Sequence, residues 1–373
     1  MGKYSGSARR SISKINRRNE SQRLVQIKFM LANKKIILIS IKFFNYEVLI
    51  KQELEKMGAS VTLFDERPSN SFLSKAIIRV KKEFYKNEIN RYYNELIKKL
   101  KGQKIDYLLL IKGEAIPKFF LEFLRSENPT MRMIYYTYDS FKNNKNGLEI
   151  MEMFDYSFTF DSNDAAKYNM RFRPLFFVED YSALYLKNDK EYKYDLAFIG
   201  TAHSDRYSIA ETARSWCSKN SFKMFCFYFS PSKLLFNIKK LTEKSFRSFD
   251  KSKISFSSLS HSEIISIYRD SKAILDINHP GQNGLTMRTF EALGAGRKLI
   301  TTNANIKNYP FYNSDNICII NREAPIFEKE FFEKEFTPID EEIYHSMSIQ
   351  GWIEEIFGIK SFSHWSKHFN LLK

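Results

Sequence analysis

Short apolar runs alternating with amphipathic segments constrain this chain more than any other feature. Lys35-Ile36-Ile37-Leu38-Ile39-Ser40-Ile41 is β-branched and nearly uninterrupted, the pattern of a strand covered on both faces. A helix from about Tyr46 to Met57, stopped by Gly58, leads to a second strand, Ser60-Val61-Thr62-Leu63-Phe64. This strand–helix–strand succession belongs to a parallel α/β sheet.

The grammar continues. A long amphipathic helix is expected over about Phe72–Leu100, then strands at Tyr107–Ile111, Met133–Tyr138 and Tyr156–Phe160, with a helix near Pro117–Arg125. After a polar hinge at Lys187–Tyr194 a second α/β unit opens at Tyr194-Asp195-Leu196-Ala197-Phe198-Ile199-Gly200. Strands at Met224–Phe229, Ala273–Ile277 and Lys298–Thr301 follow, interleaved with helices near Ser204–Lys219, Ser262–Ser271 and Thr286–Leu293. The expectation is an α/β chain of two doubly wound, Rossmann-like domains facing a central cleft, with any ligand at the carboxyl ends of strands. The divisions expected are a basic flexible tail (1–24), an N-terminal Rossmann-like domain (25–178), a C-terminal Rossmann-like domain (179–335) and C-terminal helices (336–373) that pack back on the N-terminal domain.

Charge narrows the partners. The net charge is +16, concentrated in residues 1–24 and 71–104. The first carries Lys3, Arg9, Arg10, Lys14, Arg17, Arg18 and Arg23 against Glu20; the second carries ten Lys or Arg against three Glu. Each is either a solvated surface or a patch that holds an anionic membrane. The three cysteines, Cys217, Cys226 and Cys318, form no CxxC pair, which fits a reducing compartment. No apolar stretch is long enough for a transmembrane helix, and no secretory signal is apparent in the first residues. A cytoplasmic location is expected, with peripheral attachment to the inner face of the plasma membrane.

The segment Asn278-His279-Pro280-Gly281-Gln282-Asn283-Gly284-Leu285-Thr286-Met287-Arg288-Thr289-Phe290-Glu291 carries the densest chemistry. It follows a buried strand and enters a helix whose free N–H groups suit an anion. Arg288 can contact phosphate and Glu291, one turn on, can accept two ribose hydroxyls. Taken alone, the same residues also fit an ordinary helix entry with a surface ion pair. A second candidate loop is Gly200-Thr201-Ala202-His203-Ser204-Asp205-Arg206, where Arg206 and Thr201 can meet a pyrophosphate, or where Ser204 simply caps a helix. In the first half, Asp139 follows a buried strand and is the first candidate for a general base; Glu114 is the second. The alternative for Asp139 is an Asx turn with Ser140. His279 is a further candidate donor contact, or a structural histidine.

The run Thr289-Phe290-Glu291-Ala292-Leu293-Gly294-Ala295-Gly296-Arg297-Lys298-Leu299-Ile300-Thr301-Thr302-Asn303 resembles the nucleotide-sugar motif of group 1 glycosyltransferases with the GT-B fold. The chain over roughly 34–335 is similar to bacterial capsule and lipopolysaccharide glycosyltransferases, in particular the CgeB-like subgroup. Tyr138-Asp139-Ser140, Phe158–Ala165, Arg173-Pro174-Leu175-Phe176 and Phe198–Arg206 carry the likeness further. It implies that Glu291 binds the donor ribose, that Gly200, Thr201, His203, Arg206, His279, Asn283, Gly284, Thr286 and Arg288 surround the donor, and that a sugar moves from a nucleotide-sugar to a saccharide or lipid-linked acceptor. The nucleotide-sugar is a co-substrate; no cofactor is expected, and no acidic pair suited to a metal is present in the sequence. Retaining members carry a second glutamate eight positions before the ribose-binding one, and here position 283 is Asn. Competing readings are a non-catalytic sugar-nucleotide scaffold at the membrane, a GT-B epimerase and a basic nucleic-acid-binding protein; no RNA-reading motif supports the last, so no nucleic acid partner is expected.

Overall fold

The computed structural model describes residues 30–69, 82–141, 144–186, 191–202 and 204–367. The tail 1–24, the start of the basic helix (70–81) and His203 lie outside the described residues. Packing divides the chain into two units, one running to Ser157 with Ile356–Ile359, the other Phe158–Glu355 with the residues from Lys360.

The first sheet contains β1 (Lys35–Ser40), β2 (Ser60–Asp65), β3 (Tyr107–Ile111), β4 (Arg132–Thr137), β5 (Tyr156–Thr159) and β6 (Arg171–Phe172). Its order is β2-β1-β3-β4-β5-β6. Register is parallel, Ile36 lying opposite Val61 on one side and Tyr107 on the other. Leu38, Ile39, Leu108, Leu109 and Leu110 are fully buried, as both-face burial of a parallel sheet requires.

The second sheet contains β7 (Tyr194–Thr201), β8 (Met224–Phe229), β9 (Ile254–Ser255), β10 (Ser271–Asp276), β11 (Lys298–Thr301) and β12 (Ile317–Ile319), in the order β12-β11-β10-β7-β8-β9. Its core joins Leu196, Phe198, Ala210, Ala213, Tyr228, Phe236, Ala273, Leu275 and Ile300. The aromatic residues serve this packing: Tyr207 stacks on Phe249 at 4.5 Å and Trp216 on Phe222 at 5.4 Å. Both sheets reverse direction once, between β1 and β3 and between β7 and β10. Neighbouring connections leave to opposite faces there, which opens a crevice at the strands' carboxyl ends.

The two alternating α/β sheets agree with the expected fold class. Several elements were not anticipated: helices Lys145–Ile150, Ser162–Tyr168, Glu179–Leu186 and Lys233–Thr242, and strands β6, β9 and β12. The expected long helix is described only as a short 3-10 turn, Lys82–Tyr85, followed by helix Lys86–Leu100. Near the C-terminus, Arg173 bonds the Ser346 carbonyl at 2.5 Å and pairs with Glu355 at 2.6 Å, and Phe177 bridges to Ser348. Among the described residues no helix is long and apolar enough to cross a membrane.

Candidate nucleotide site at the end of β10

The reversal between β7 and β10 brings together residues far apart in sequence. β10 ends on Asp276, which is 1% exposed. Its carboxylate accepts the hydroxyls of Thr286 at 2.7 Å and Thr289 at 3.0 Å and faces Arg288 Nη1 at 3.3 Å. The next residue, Ile277, offers its carbonyl to Arg206 Nε at 2.7 Å. The residue after that, Asn278, receives Arg322 Nη2 on its carbonyl at 2.6 Å and on its side chain at 2.7 Å. Three successive residues at one strand end therefore each hold one guanidinium.

The charges around this strand end are uneven. Arg322 Nη1 contacts both Asp205 oxygens at 2.7 Å, and Arg288 has Asp276. Among the described residues Arg206 bonds only neutral oxygens, Ile277 O and Thr201 Oγ1 at 2.8 Å. Burial, then the neighbouring Arg288 and Arg322, push the Arg206 guanidinium down to about 10. Burial opposes the charge of Arg288 as well, but Asp276, Tyr268 and Glu291 outweigh it and hold Arg288 above its ordinary value. A cation so short of counter-charge is stabilised by an incoming anion.

Helix Met287–Gly294 begins here, with Thr286 at its N-cap. The Thr286 side chain bonds Asp276 instead of capping the helix, so the first-turn N–H groups are not closed by it. Glu291 is half-buried and accepts the Tyr268 hydroxyl at 3.2 Å. The helix ends in a tight left-handed turn at Gly296, φ 64°, with Arg297 N–H returning to Ala292 O at 2.9 Å.

The preceding loop is built on itself. Asn278 Nδ2 bonds Gln282 O at 3.0 Å, and Asn303 Nδ2 bonds Asn283 O at 3.0 Å. Gly284 is buried under Phe160, and a Cβ there would stand 2.5 Å from the ring. Its N–H meets Asp161 Oδ2 at 3.4 Å, while the other Asp161 oxygen caps helix Ser162–Tyr168. The resemblance places Gly284 beside the donor; in the structure the neighbour its missing side chain makes room for is Phe160. Gly200 similarly leaves room for the Phe198 ring. His279 is exposed, and its Nδ1 accepts Gly281 N–H at 3.4 Å. Helix Arg206–Lys219 takes Asp205 as its N-cap residue, while Ser204, the expected cap, stands one residue earlier in a left-handed turn, φ 52°.

In the first unit Asp139 and Glu114 lie in one polar cluster at the carboxyl ends of β2, β3 and β4. Lys112 Nζ stands 3.1 Å from Asp139 Oδ2 and 3.8 Å from Glu114 Oε1. Arg67 also bonds Glu114, which is 5% exposed, so Glu114 is enclosed between two cations. Lys112 and Gly113 both have positive φ, 83° and 69°, and the Lys112 carbonyl is held by Tyr135 OH at 2.8 Å and by Asn144. Asp139 is the more open carboxylate, its side chain 28% exposed. Beneath lies Glu66, fully buried, one oxygen on the Ala115 N–H and the other with no partner among the described residues. Burial pushes its carboxyl up to about 7; Glu114 adds to this, and Arg67 and Lys112 oppose it.

Sequence reasoning missed Asp276, Arg322, Asp161 and Glu66. Asp276 lay inside the strand expected over Ala273–Ile277, which in the structure ends on it. An ionisable residue ending a buried strand was the available signal, the one that had singled out Asp139.

No family model matches the sequence, and no curated protein matches it. Solved structures do match the fold. An alpha,alpha-trehalose-phosphate synthase (UDP-forming) from Burkholderia xenovorans, in complex with glucose-6-phosphate, aligns over 88% of this chain and 99% of its own at 11% identity and TM-score 0.55. An alpha-glucosyltransferase in complex with UDP and a 13-mer DNA aligns over 90% and 99% at 13% identity and TM-score 0.54. The catalytic domain of Starch Synthase IV from Arabidopsis thaliana, bound to ADP and acarbose, aligns over 91% and 100% at 10% identity and TM-score 0.52. At these identities the likeness establishes the fold, two parallel α/β sheets of the GT-B type.

Proposed function

We propose that this chain is a glycosyltransferase whose second unit binds a nucleoside diphosphate-sugar at the end of β10. The observation that carries the reading is the row Asp276, Ile277, Asn278, each holding one of Arg288, Arg206 and Arg322 beside a helix N-terminus. That arrangement suits a diphosphate, whose leaving charge the guanidinium groups and helix N–H groups would neutralise. Glu291, one turn into the helix, is within reach of a ribose bound to such a diphosphate. Three fold neighbours are described with UDP, ADP or a UDP-forming activity, which supports the same ligand class here.

Transfer needs a base for the acceptor hydroxyl. We assign that role to Asp139, because it is the open carboxylate of its cluster while Glu114 is enclosed by Arg67 and Lys112. The acceptor is a saccharide or a lipid-linked molecule, and the sequence resemblance supports a place in bacterial capsule or lipopolysaccharide synthesis. A non-catalytic sugar-nucleotide scaffold is the second reading, favoured by Asn at position 283, whose side-chain amide makes no hydrogen bond among the described residues.

Calorimetric titration with UDP, ADP and GDP tests the donor site. At least one should bind, and Glu291→Ala should weaken it by about 1–3 kcal/mol, the cost of leaving polar partners unmatched. Binding of random duplex DNA with a steep salt dependence, and of no nucleotide, would sink the reading.

A further inference from the structure

We propose that helix Lys233–Thr242 is a membrane-docking element that lies flat in the interface of an anionic lipid bilayer. The helix is apolar on two opposite sides. Phe236 points inward, fully buried, within 6 Å of the Phe246 ring. Leu234, Ile238 and Leu241 point outward, 70%, 45% and 78% exposed. Their spacing of four and three residues places them in one narrow stripe along the helix. Three large aliphatic side chains aligned in water are a cost that a surface helix of a monomer does not ordinarily carry.

Charge complementarity selects the occupant. From residue 233 to 253 the chain carries Lys233, Lys239, Lys240, Lys244, Arg247, Lys251 and Lys253 against Glu243 and Asp250. Lys233, Arg247 and Lys251 are exposed. Lys239 shares Glu243 at 3.6 Å, and Lys240 reaches the Phe249 carbonyl at 2.8 Å, which fixes both stems beside the helix. An apolar stripe on a segment that also exposes Lys233, Arg247 and Lys251 matches a headgroup–acyl boundary rich in anionic lipid, the stripe entering the acyl edge and these three cations meeting phosphate, while Lys253 is held by Glu211 at 2.6 Å. A protein partner of equal size would need acidic residues around a hydrophobic groove; a nucleic acid would use the cations and leave the stripe in water.

The placement adds meaning. The helix begins four residues after the end of β8, beside the carboxyl end of β7, where Ala202 N–H bonds Phe229 O at 2.6 Å. Docking through it would hold that edge of the second sheet at the lipid surface. This inference does not depend on the proposed activity.

Co-sedimentation of the full chain with phosphatidylcholine vesicles, with and without phosphatidylglycerol, tests it. The wild type should bind the anionic vesicles, and Leu234→Ser/Ile238→Ser/Leu241→Ser should lose about tenfold or more in affinity. These side chains face solvent, so the triple variant should keep the wild-type melting temperature and nucleotide affinity. Lys233→Glu/Arg247→Glu/Lys251→Glu should also lose binding, and more so at low salt. Vesicle binding unchanged in the triple variant would overturn the proposal. So would wild type that ignores anionic vesicles, or sedimentation velocity showing that the stripe instead joins two copies of the chain. Duplex DNA binding that needs the cations but not the stripe, with no vesicle binding, would overturn it as well.

Discussion

Arg288 Nη1 lies 3.3 Å from Asp276 Oδ1, an ion pair that ties the first turn of helix Met287–Gly294 to the end of β10. Asp276 is almost wholly buried, whereas the Arg288 side chain keeps 20% of its surface open. One partner is thus an anchor and the other can still reach a ligand.

Replacing the anchor should affect stability and binding together. Asp276→Ala removes the acceptor for Thr286, Thr289 and Arg288, leaving a largely buried guanidinium without its carboxylate. We expect a loss of about 2–4 kcal/mol in urea unfolding. Asp276→Asn keeps an acceptor oxygen and should lose less. If Asp276→Ala unfolds at the wild-type midpoint, the anchoring role is wrong.

Glu66 should make stability fall with rising pH. Its carboxyl sits at about 7 when folded and near the ordinary carboxylate value when unfolded. The folded state therefore binds the proton more tightly, and the protonated group costs nothing below the unfolded value. Stability declines between about pH 4.5 and 7 and then levels off. Glu66→Gln removes that decline: the variant should gain up to about 3 kcal/mol over wild type at pH 8 and little at pH 4. Parallel pH-stability curves for the two proteins would refute the assignment.

Gly294 sets helix propensity against packing. Alanine gains up to about 1 kcal/mol over glycine inside a helix, and less at a last residue such as Gly294. Here a Cβ would stand 2.4 Å from Phe177 Cγ, inside a packed core. Overpacking of this kind costs about 1–3 kcal/mol, so the clash wins and Gly294→Ala should lower the thermal midpoint. Gly102 is a control: nothing lies within 4 Å of its Cβ position, and the cost of Gly102→Ala comes only from its φ of +73°.

Asp139→Asn should abolish sugar transfer while leaving nucleoside diphosphate affinity within about twofold of wild type, since a base contributes about 100-fold or more to the chemical step. Single-turnover product analysis with matched calorimetry separates the two. Retained turnover would remove Asp139 as the base.

The sequence by itself determined the strands of four residues or more, and not the short β6, β9 and β12. A run such as Leu108-Leu109-Leu110 or Leu299-Ile300 reads as a two-face-covered strand because burial periodicity is a local property, and Met224–Phe229 and Lys298–Thr301 match residue for residue. Local reading also located the loop-to-helix segment around Arg288 and Glu291. It missed helix Lys233–Thr242, since Leu234, Leu235, Phe236, Ile238 and Leu241 serve two faces and blur the helical period. What only the tertiary structure decided is the company of each charge. Arg206 meets Ile277 across 71 residues, Arg322 meets Asn278 across 44, and Glu66 meets Ala115 across 49. The order of a parallel sheet places β7 beside β10, and no local pattern encodes that adjacency. The strands are fixed by where water is excluded along a few residues; the arginine row is fixed by which strands lie side by side.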